Sequence, residues 1–314
     1  MKRGIVLFAI LAVLTIVSGC SIGTSTKTRE QGFVAEFRTG TQGLYLTFEP
    51  NMPPIKMYDD QPLEVVVRME NRGAYTLGGA GDKLYISGFD PTILTGISTF
   101  GEQIPDLEGK TQYNEGMLDV VSFTSTIRDL RGKGIDKYPT RLVATACYGY
   151  ETVASANVCI DPDPFSLSVR QKPCVPVNVG LGGGQGAPVS VSNVELEASR
   201  ERTRFRITIN NVGGGDVFKP GADYLTKCSP YAATGLSYNE YDYIRLNDVS
   251  VAGQSITSSC KPSSDIRLIG GRATIYCELN NIPSGTAFAT PIAVRLSYGY
   301  RNWVTRDLTI LASR

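Results

Sequence analysis

The chain is 314 residues long, with 31 basic and 30 acidic residues, no histidine and a formal net charge of +1. That length accommodates two ordinary domains, each with its own core. The even charge balance excludes the concentrated basic face that a nucleic-acid backbone requires, and the lack of histidine removes the commonest general base, triad partner and metal ligand.

Lys2 and Arg3 precede an apolar run from Ile5 to Val17, and Val17-Ser18-Gly19-Cys20 follows. A basic start, a short apolar stretch and small residues before a cut define a secretory signal. The last four residues resemble the lipobox of prokaryotic lipoproteins, which implies that Cys20 becomes the lipidated first residue of the mature chain. The alternative is that residues 4–19 persist as a membrane anchor, although the apolar run is shorter than the roughly 20 residues that span a bilayer. Either route places the remaining chain in the cell envelope, on the outer face of the cytoplasmic membrane. Residues 20–31 are small, polar and aperiodic, and read as a flexible tether.

From residue 32 the pattern is that of strands. Leu44, Leu46 and Phe48 alternate with polar neighbours, and PLEVVVRMEN (62–71) sets Leu63, Val65, Val67 and Met69 on one face. DKLYISGFD (82–90), MLDVVSFTSTI (117–127) and TRLVATACYGY (140–150) continue it. DPDPFSLSVRQKPC (161–174) is rich in proline and aperiodic, which puts a domain boundary at 163–174. TRFRITINNV (203–212) alternates sharply, 219–251 holds a tyrosine-dense insertion, and IRLIGGRATIYCEL (266–279) reads as a hairpin. No segment sustains a helical period.

The two halves repeat. RLVATACYGYETVASANVCI (141–160) matches IAVRLSYGYRNWVTRDLTI (292–310), aligning Tyr148-Gly149-Tyr150 with Tyr298-Gly299-Tyr300. VVVRMENRGAY (65–75) matches FRITINNVGGGDV (205–217) through Asn71/Asn211 and Gly73/Gly213. Each YGY unit reads as a strand–turn–strand hairpin closing its domain. The expected architecture is therefore all-β, with two β-sandwiches in tandem at 32–162 and 175–314, after an N-terminal signal or anchor helix at 1–19.

Six cysteines remain besides Cys20, an even number in an exported chain, and so suggest three disulfides. Cys147 and Cys159 both lack counterparts in the second copy and both point away from the core face, which predicts a cross-strand Cys147–Cys159 bridge. Cys260–Cys277 is expected from the Gly270-Gly271 turn, and Cys174–Cys228 is left by elimination. No clustered thiols suggest a metal site.

A Val/Ile-rich strand ending in Asn-x-Gly, carried here by VVVRMENRG (65–73) and ITINNVG (207–213), resembles the CARDB and related immunoglobulin-like modules of prokaryotic surface proteins. GGQGAP (183–188) and the paired YGY strands are similar to archaeal envelope proteins without a known activity. This resemblance covers nearly the whole mature chain and implies adhesion or surface display, with no catalytic residue.

GLGGGQG (180–186) lacks the strand–helix context and Lys-Ser/Thr pair of a phosphate loop, and reads as a flexible turn. Asp59-Asp60 and Asp161-x-Asp163 are acidic clusters of a kind that can hold calcium, but neither matches the EF-hand pattern, and turn-forming aspartates before proline account for Asp161 and Asp163 as well. Serines and threonines lack a histidine to activate them, and no nucleophile–base signature is visible. No cofactor or metal is expected, and no catalytic residue is assigned. The aromatics stand out: Tyr231, Tyr238 and Tyr241 crowd the insertion, and Trp303, the only tryptophan, falls at the expected second hairpin tip. Such residues form binding hot spots but also serve as lids over a sandwich. The expected function is a non-enzymatic, lipid-anchored surface module meeting another envelope protein or a surface glycan through these aromatics; the alternative is a lipoprotein that binds a carbohydrate or peptide.

Overall fold

The computed structural model describes residues 37–166, 172–182, 184–200, 202–282 and 284–314. The expected signal or anchor at 1–19, Cys20 and the expected tether lie outside the described residues. Residues Gly32–Arg314 form one compact unit.

The first half contributes β1 (Leu44–Phe48), β2 (Lys56–Tyr58), β3 (Leu63–Asn71), β4 (Lys83–Ser87), β5 (Leu94–Thr95), β6 (Glu102–Gln103), β7 (Leu118–Ile127) and β8 (Lys137–Ile160). The second contributes β9 (Val179–Gly180), β10 (Val189–Ser199), β11 (Arg202–Asn211), β12 (Asp216–Phe218), a seven-residue helix α1 (Ala222–Cys228), β13 (Tyr243–Val251), β14 (Gln254–Ser255), β15 (Asp265–Arg267), β16 (Arg272–Asn280) and β17 (Phe288–Leu311). The expected all-β class holds.

Each half builds its own four-stranded sheet, β1-β3-β7-β5 in the first and β16-β11-β10-β9 in the second. Both halves also enter a third, nine-stranded sheet along β14-β13-β17-β8-β4-β6, with β12 and β2 on β17 and β15 on β13. The alternation legible in the sequence sets which faces are buried. Leu63, Val65, Val67 and Met69 on β3 and Phe205, Ile207 and Ile209 on β11 join the buried face of the shared sheet in one continuous apolar cluster.

The two YGY units are not hairpins. Each lies inside a single strand of 24 residues. Neither Gly149 nor Gly299 leaves the extended region, so neither supplies a turn. The period-two pattern runs through without a break: Leu142, Ala144, Ala146, Tyr148, Tyr150, Thr152, Ala154, Ala156, Val158 and Ile160 are all buried. β8 and β17 pair antiparallel over their full length, with Tyr148 opposite Tyr300, Gly149 opposite Gly299 and Tyr150 opposite Tyr298. The repeat thus meets itself at a pseudo-two-fold axis through the two glycines.

Strands are exchanged at this crossing. Residues 143–147 of β8 pair with β4 of the first half, while residues 309–311 of β17 pair with β2 of that same half. The near end of β17, residues 292–297, pairs with β13 of the second half. Asp59 fastens the returned end: its carboxylate accepts the Leu130 and Ser313 N–H groups at 2.9 and 2.7 Å. Those bonds, that of Leu130 foremost, hold its pKa below the usual carboxylate range.

The disulfides follow the exchange and correct the expected connectivity. Cys147 and Cys159 sit twelve positions apart on one extended strand, about 40 Å at ~3.3 Å per residue, so they cannot bridge. Cys147 pairs instead with Cys228 of α1, and Cys159 with Cys174. Cys147–Cys228 therefore ties the halves together, beneath a second cluster of Tyr85, Phe218 and Leu225. Cys260–Cys277 forms as expected, though not through a hairpin: β15 pairs with β13 and β16 with β11. Reciprocal main-chain bonds between Lys261 and Tyr276 bring the two cysteines together.

Four buried tyrosines line the crossing, with adjacent ring centroids 5.8–6.3 Å apart. Gly73 and Gly213 make room for them. A Cβ at Gly73 would overlap the Tyr150 hydroxyl, and one at Gly213 the Tyr300 hydroxyl and Pro188. We expect Gly73→Ala and Gly213→Ala each to destabilise the fold by about 2–3 kcal/mol in chemical denaturation. Gly180→Ala, whose Cβ would meet nothing within 4 Å, should stay within about 0.5 kcal/mol of the parent. A neutral Gly73→Ala would mean that the tyrosine does not pack there.

Candidate functional site: a side cleft beside Trp303

The tyrosine hydroxyls at the crossing are all engaged. Tyr148 accepts the Leu44 N–H at 3.4 Å, and its repeat partner Tyr298 accepts the Val189 N–H at 3.2 Å. The carbonyls of those two residues are held from the opposite strands, Leu44 by Asn302 Nδ2 at 2.7 Å and Val189 by the Thr152 hydroxyl at 2.7 Å. Tyr150 donates to the Gly186 carbonyl at 2.8 Å, and Tyr300 accepts the Gly215 N–H at 2.7 Å. Asn71 and Asn211 brace the same turns, donating to the carbonyls of Tyr75 and Gly215, each at 2.8 Å. Burial pushes the phenols of Tyr148, Tyr150 and Tyr298 up, and that of Tyr300 to about 12. They remain neutral struts at physiological pH and supply no base.

Behind the crossing, Asp82 accepts the Gly149 N–H at 2.9 Å and those of Gly78 and Gly79 at 3.1 Å. Burial raises its pKa against the pull of those N–H groups. In the repeat, the ring of Phe218 occupies the corresponding space against Gly299.

The two ends of the crossing are filled differently. Beside Tyr300 lies a cleft of about 320 Å³, walled by the 42–46 segment, the Gly213–Gly215 turn, Tyr300 and Asn302–Val304, with Tyr148 and Pro188 also lining it. At the repeat-related position Tyr75 stands in place of Gly215, its ring 5.3 Å from that of Tyr150. The Gln185 amide also closes that side by bonding both the N–H and the carbonyl of Val191, at 2.8 and 3.1 Å. The cleft therefore exists because Gly215 lacks the ring that fills the equivalent space. It has polar character too: Asn302 Oδ1, on its wall, is buried with no hydrogen-bond partner among the described residues.

Trp303 lines this cleft and is 49% exposed. It is not at a hairpin tip but in the middle of β17, opposite Thr145. The tyrosines grouped with it in the sequence have separate roles. Tyr231 donates to the Ile86 carbonyl at 2.6 Å and so joins the halves. Tyr238 is 76% exposed, with the Arg267 guanidinium 3.9 Å from its ring centroid. Tyr241 has the Arg301 guanidinium at 5.4 Å, and Arg301 shares the face of β17 that carries Trp303. Of the four aromatics, only Trp303 lines the cleft.

Other chemistry is sparse. The Ser255 and Thr257 hydroxyls donate to Asp248 at 2.6 and 3.0 Å, outside the cleft. The Ser255 bond leads in lowering the Asp248 pKa, the wrong direction for a general base near neutral pH. Among the described residues no group of His, Cys, Asp or Glu is placed to hold a metal ion, and no helix is long and apolar enough to cross a membrane. No known protein family matches the chain, and neither does any curated protein.

The Tyr231 hydroxyl is structural, so Tyr231→Phe should lower unfolding free energy by about 1 kcal/mol in urea titration. Tyr238→Phe should change it by less than about 0.5 kcal/mol. Equal effects would mean that Tyr231 does not bridge the halves.

Proposed function

We propose that this is a non-enzymatic envelope protein, held at the outer face of the cytoplasmic membrane through Cys20 or a retained anchor helix, and that it acts as an interaction or structural module. The observation that carries this reading is the cleft beside Trp303, a recess present at one end of the crossing and filled at the other. Each half reads as an immunoglobulin-like sandwich whose closing strand is completed by the other half. That interlocking, with a disulfide between the halves, suits a body that must hold its shape outside the cell. The likeness to CARDB-type surface modules supports the same reading. The aromatic expectation narrows to Trp303, because Tyr231 is engaged within the fold and Tyr238 and Tyr241 sit against arginines.

A second reading, a lipoprotein that captures a small carbohydrate or peptide, is favoured by the cleft being a recess rather than a flat patch. Its volume of about 320 Å³ falls at the small end of ligand sites.

Crosslinking in intact cells, followed by purification from membranes and mass spectrometry, tests the proposal. The wild-type protein should capture a defined envelope component that Trp303→Ala loses, and Cys20→Ala should shift the protein out of the membrane fraction if lipid is the anchor. Recovery of the protein alone would reject the module reading and turn attention to glycans and small peptides.

A further inference from the structure

One edge of β17 is interrupted in a way that the rest of the fold does not use. β8 covers the other edge of β17 throughout. On the free side, β12 pairs with residues 299–301 and β2 with residues 309–311. Between them, no strand among the described residues pairs with 302–308, and at the β2 end the Pro53 carbonyl accepts Arg306 Nη2 at 3.0 Å. These seven residues span roughly 23 Å at ~3.3 Å per residue.

The direction of the main-chain groups follows from the bonds at the far end. The Thr309 N–H donates outward to the Ile55 carbonyl, and the Leu311 carbonyl accepts outward from the Asp59 N–H. Period-two geometry then turns the N–H and carbonyl groups of Trp303 and Thr305 outward as well, where no strand meets them. β12 and β2 stand one strand width, about 4.8 Å, out from this edge. The vacancy is therefore a slot one strand wide and closed at both ends. A second folded sheet edge cannot enter it, whereas a single extended chain can. Beside the slot, Asn302 Oδ1 and Arg306 Nε are buried and have no hydrogen-bond partner among the described residues, an acceptor and a donor on one face of β17, though the other ends of both side chains are engaged, with Leu44 and Pro53. The cleft opens at the same end, with Trp303 and Val304 on its wall.

We propose that this slot binds an extended peptide segment of a partner protein by strand addition, completing the row between β12 and β2. The peptide main chain bonds Trp303 and Thr305, and one of its inward side chains, apolar or aromatic, enters the cleft toward Tyr148 and Tyr300. Main-chain bonds supply affinity and the cleft supplies selectivity. This inference deepens the interaction-module reading and rests on it.

Thr305→Pro removes one outward N–H and leaves the β8 edge intact, a position where an edge strand tolerates proline. The probe is a displayed library of random nonapeptides panned in parallel on the wild-type protein and on Thr305→Pro, whose thermal midpoint is checked against wild type. Wild type should enrich peptides by about tenfold or more over the variant, the cost of one main-chain bond. An enriched peptide should slow hydrogen exchange at Trp303 and Thr305, and N-methylation of its alternate residues should abolish binding, a readout that stands even if the variant fails to fold. Equal enrichment on both proteins, no enrichment on either, or protection confined to another edge such as β7 would overturn the proposal. A cellular crosslink lost in Trp303→Ala but kept in a folded Thr305→Pro would also overturn the slot, while leaving the interaction module standing.

Discussion

Two strands crossing at a pair of glycines is the constraint on which the rest of the molecule depends. Gly149 and Gly299 face each other at the centre of a ladder of 24 paired positions. Strands in globular proteins are usually 3–10 residues long, and these exceed that because each serves two bodies. The glycines leave one face of the crossing free for Asp82 and Phe218 to approach, while the flanking tyrosines fill the other. A buried phenol left without a partner would cost about 1–3 kcal/mol. Tyr148 meets β1, Tyr300 the Gly213–Gly215 turn, and Tyr150 and Tyr298 both meet the 186–189 segment. Tyr150 also accepts the Tyr75 N–H at 3.4 Å, so the four hydroxyls fix where β1, the start of β10 and both Asn-x-Gly turns dock. Asn71, Gly73 and their repeats are there to serve the tyrosines.

Because both halves obey the same geometry, their differences are informative. Tyr75 against Gly215 closes one end and opens the other. Asp82 against Phe218 puts a carboxylate behind one glycine and an aromatic ring behind the other. Cys147 and Cys159 have no counterparts, and one of them locks the two halves together through α1. The second half thus contributes the opening, and the far end of its last strand, delivered into the first half, supplies the cleft wall that carries Trp303.

Much of this was legible in the residues. The alternation of Leu63 to Met69 and of Phe205 to Ile209 identifies strands and their buried faces, and the repeat identifies the pseudo-symmetry. Tyr148 and Tyr150 share the parity of Leu142 and Ala144, as Tyr298 and Tyr300 share that of Val294 and Leu296, and all four lie on the buried face. The hairpin reading failed because glycine serves equally for a turn and for a close approach, and only the backbone angle separates the two uses. A signal was nonetheless present. Leu142 to Tyr148 and Val158 to Ile160 fall on the same parity, as one unbroken strand requires, whereas a turn would be free to reset it. Once a hairpin is assumed, Cys147–Cys159 follows and Trp303 moves to a tip. The cleft was not legible, because it depends on what stands opposite Gly215 in three dimensions.

The most direct test of the strand crossing is a nuclear Overhauser measurement on protein labelled with ¹³C only at glycine. Gly149 and Gly299 form a non-hydrogen-bonded antiparallel pair, the arrangement in which facing backbones come closest, at a Cα separation of about 4.5 Å. A strong cross-peak between their α-protons is the expected result. If that cross-peak is absent, and residues 141–160 show contacts only among themselves as a hairpin would, the exchange of strands between the halves is wrong, and the cleft and slot built on it fall with it.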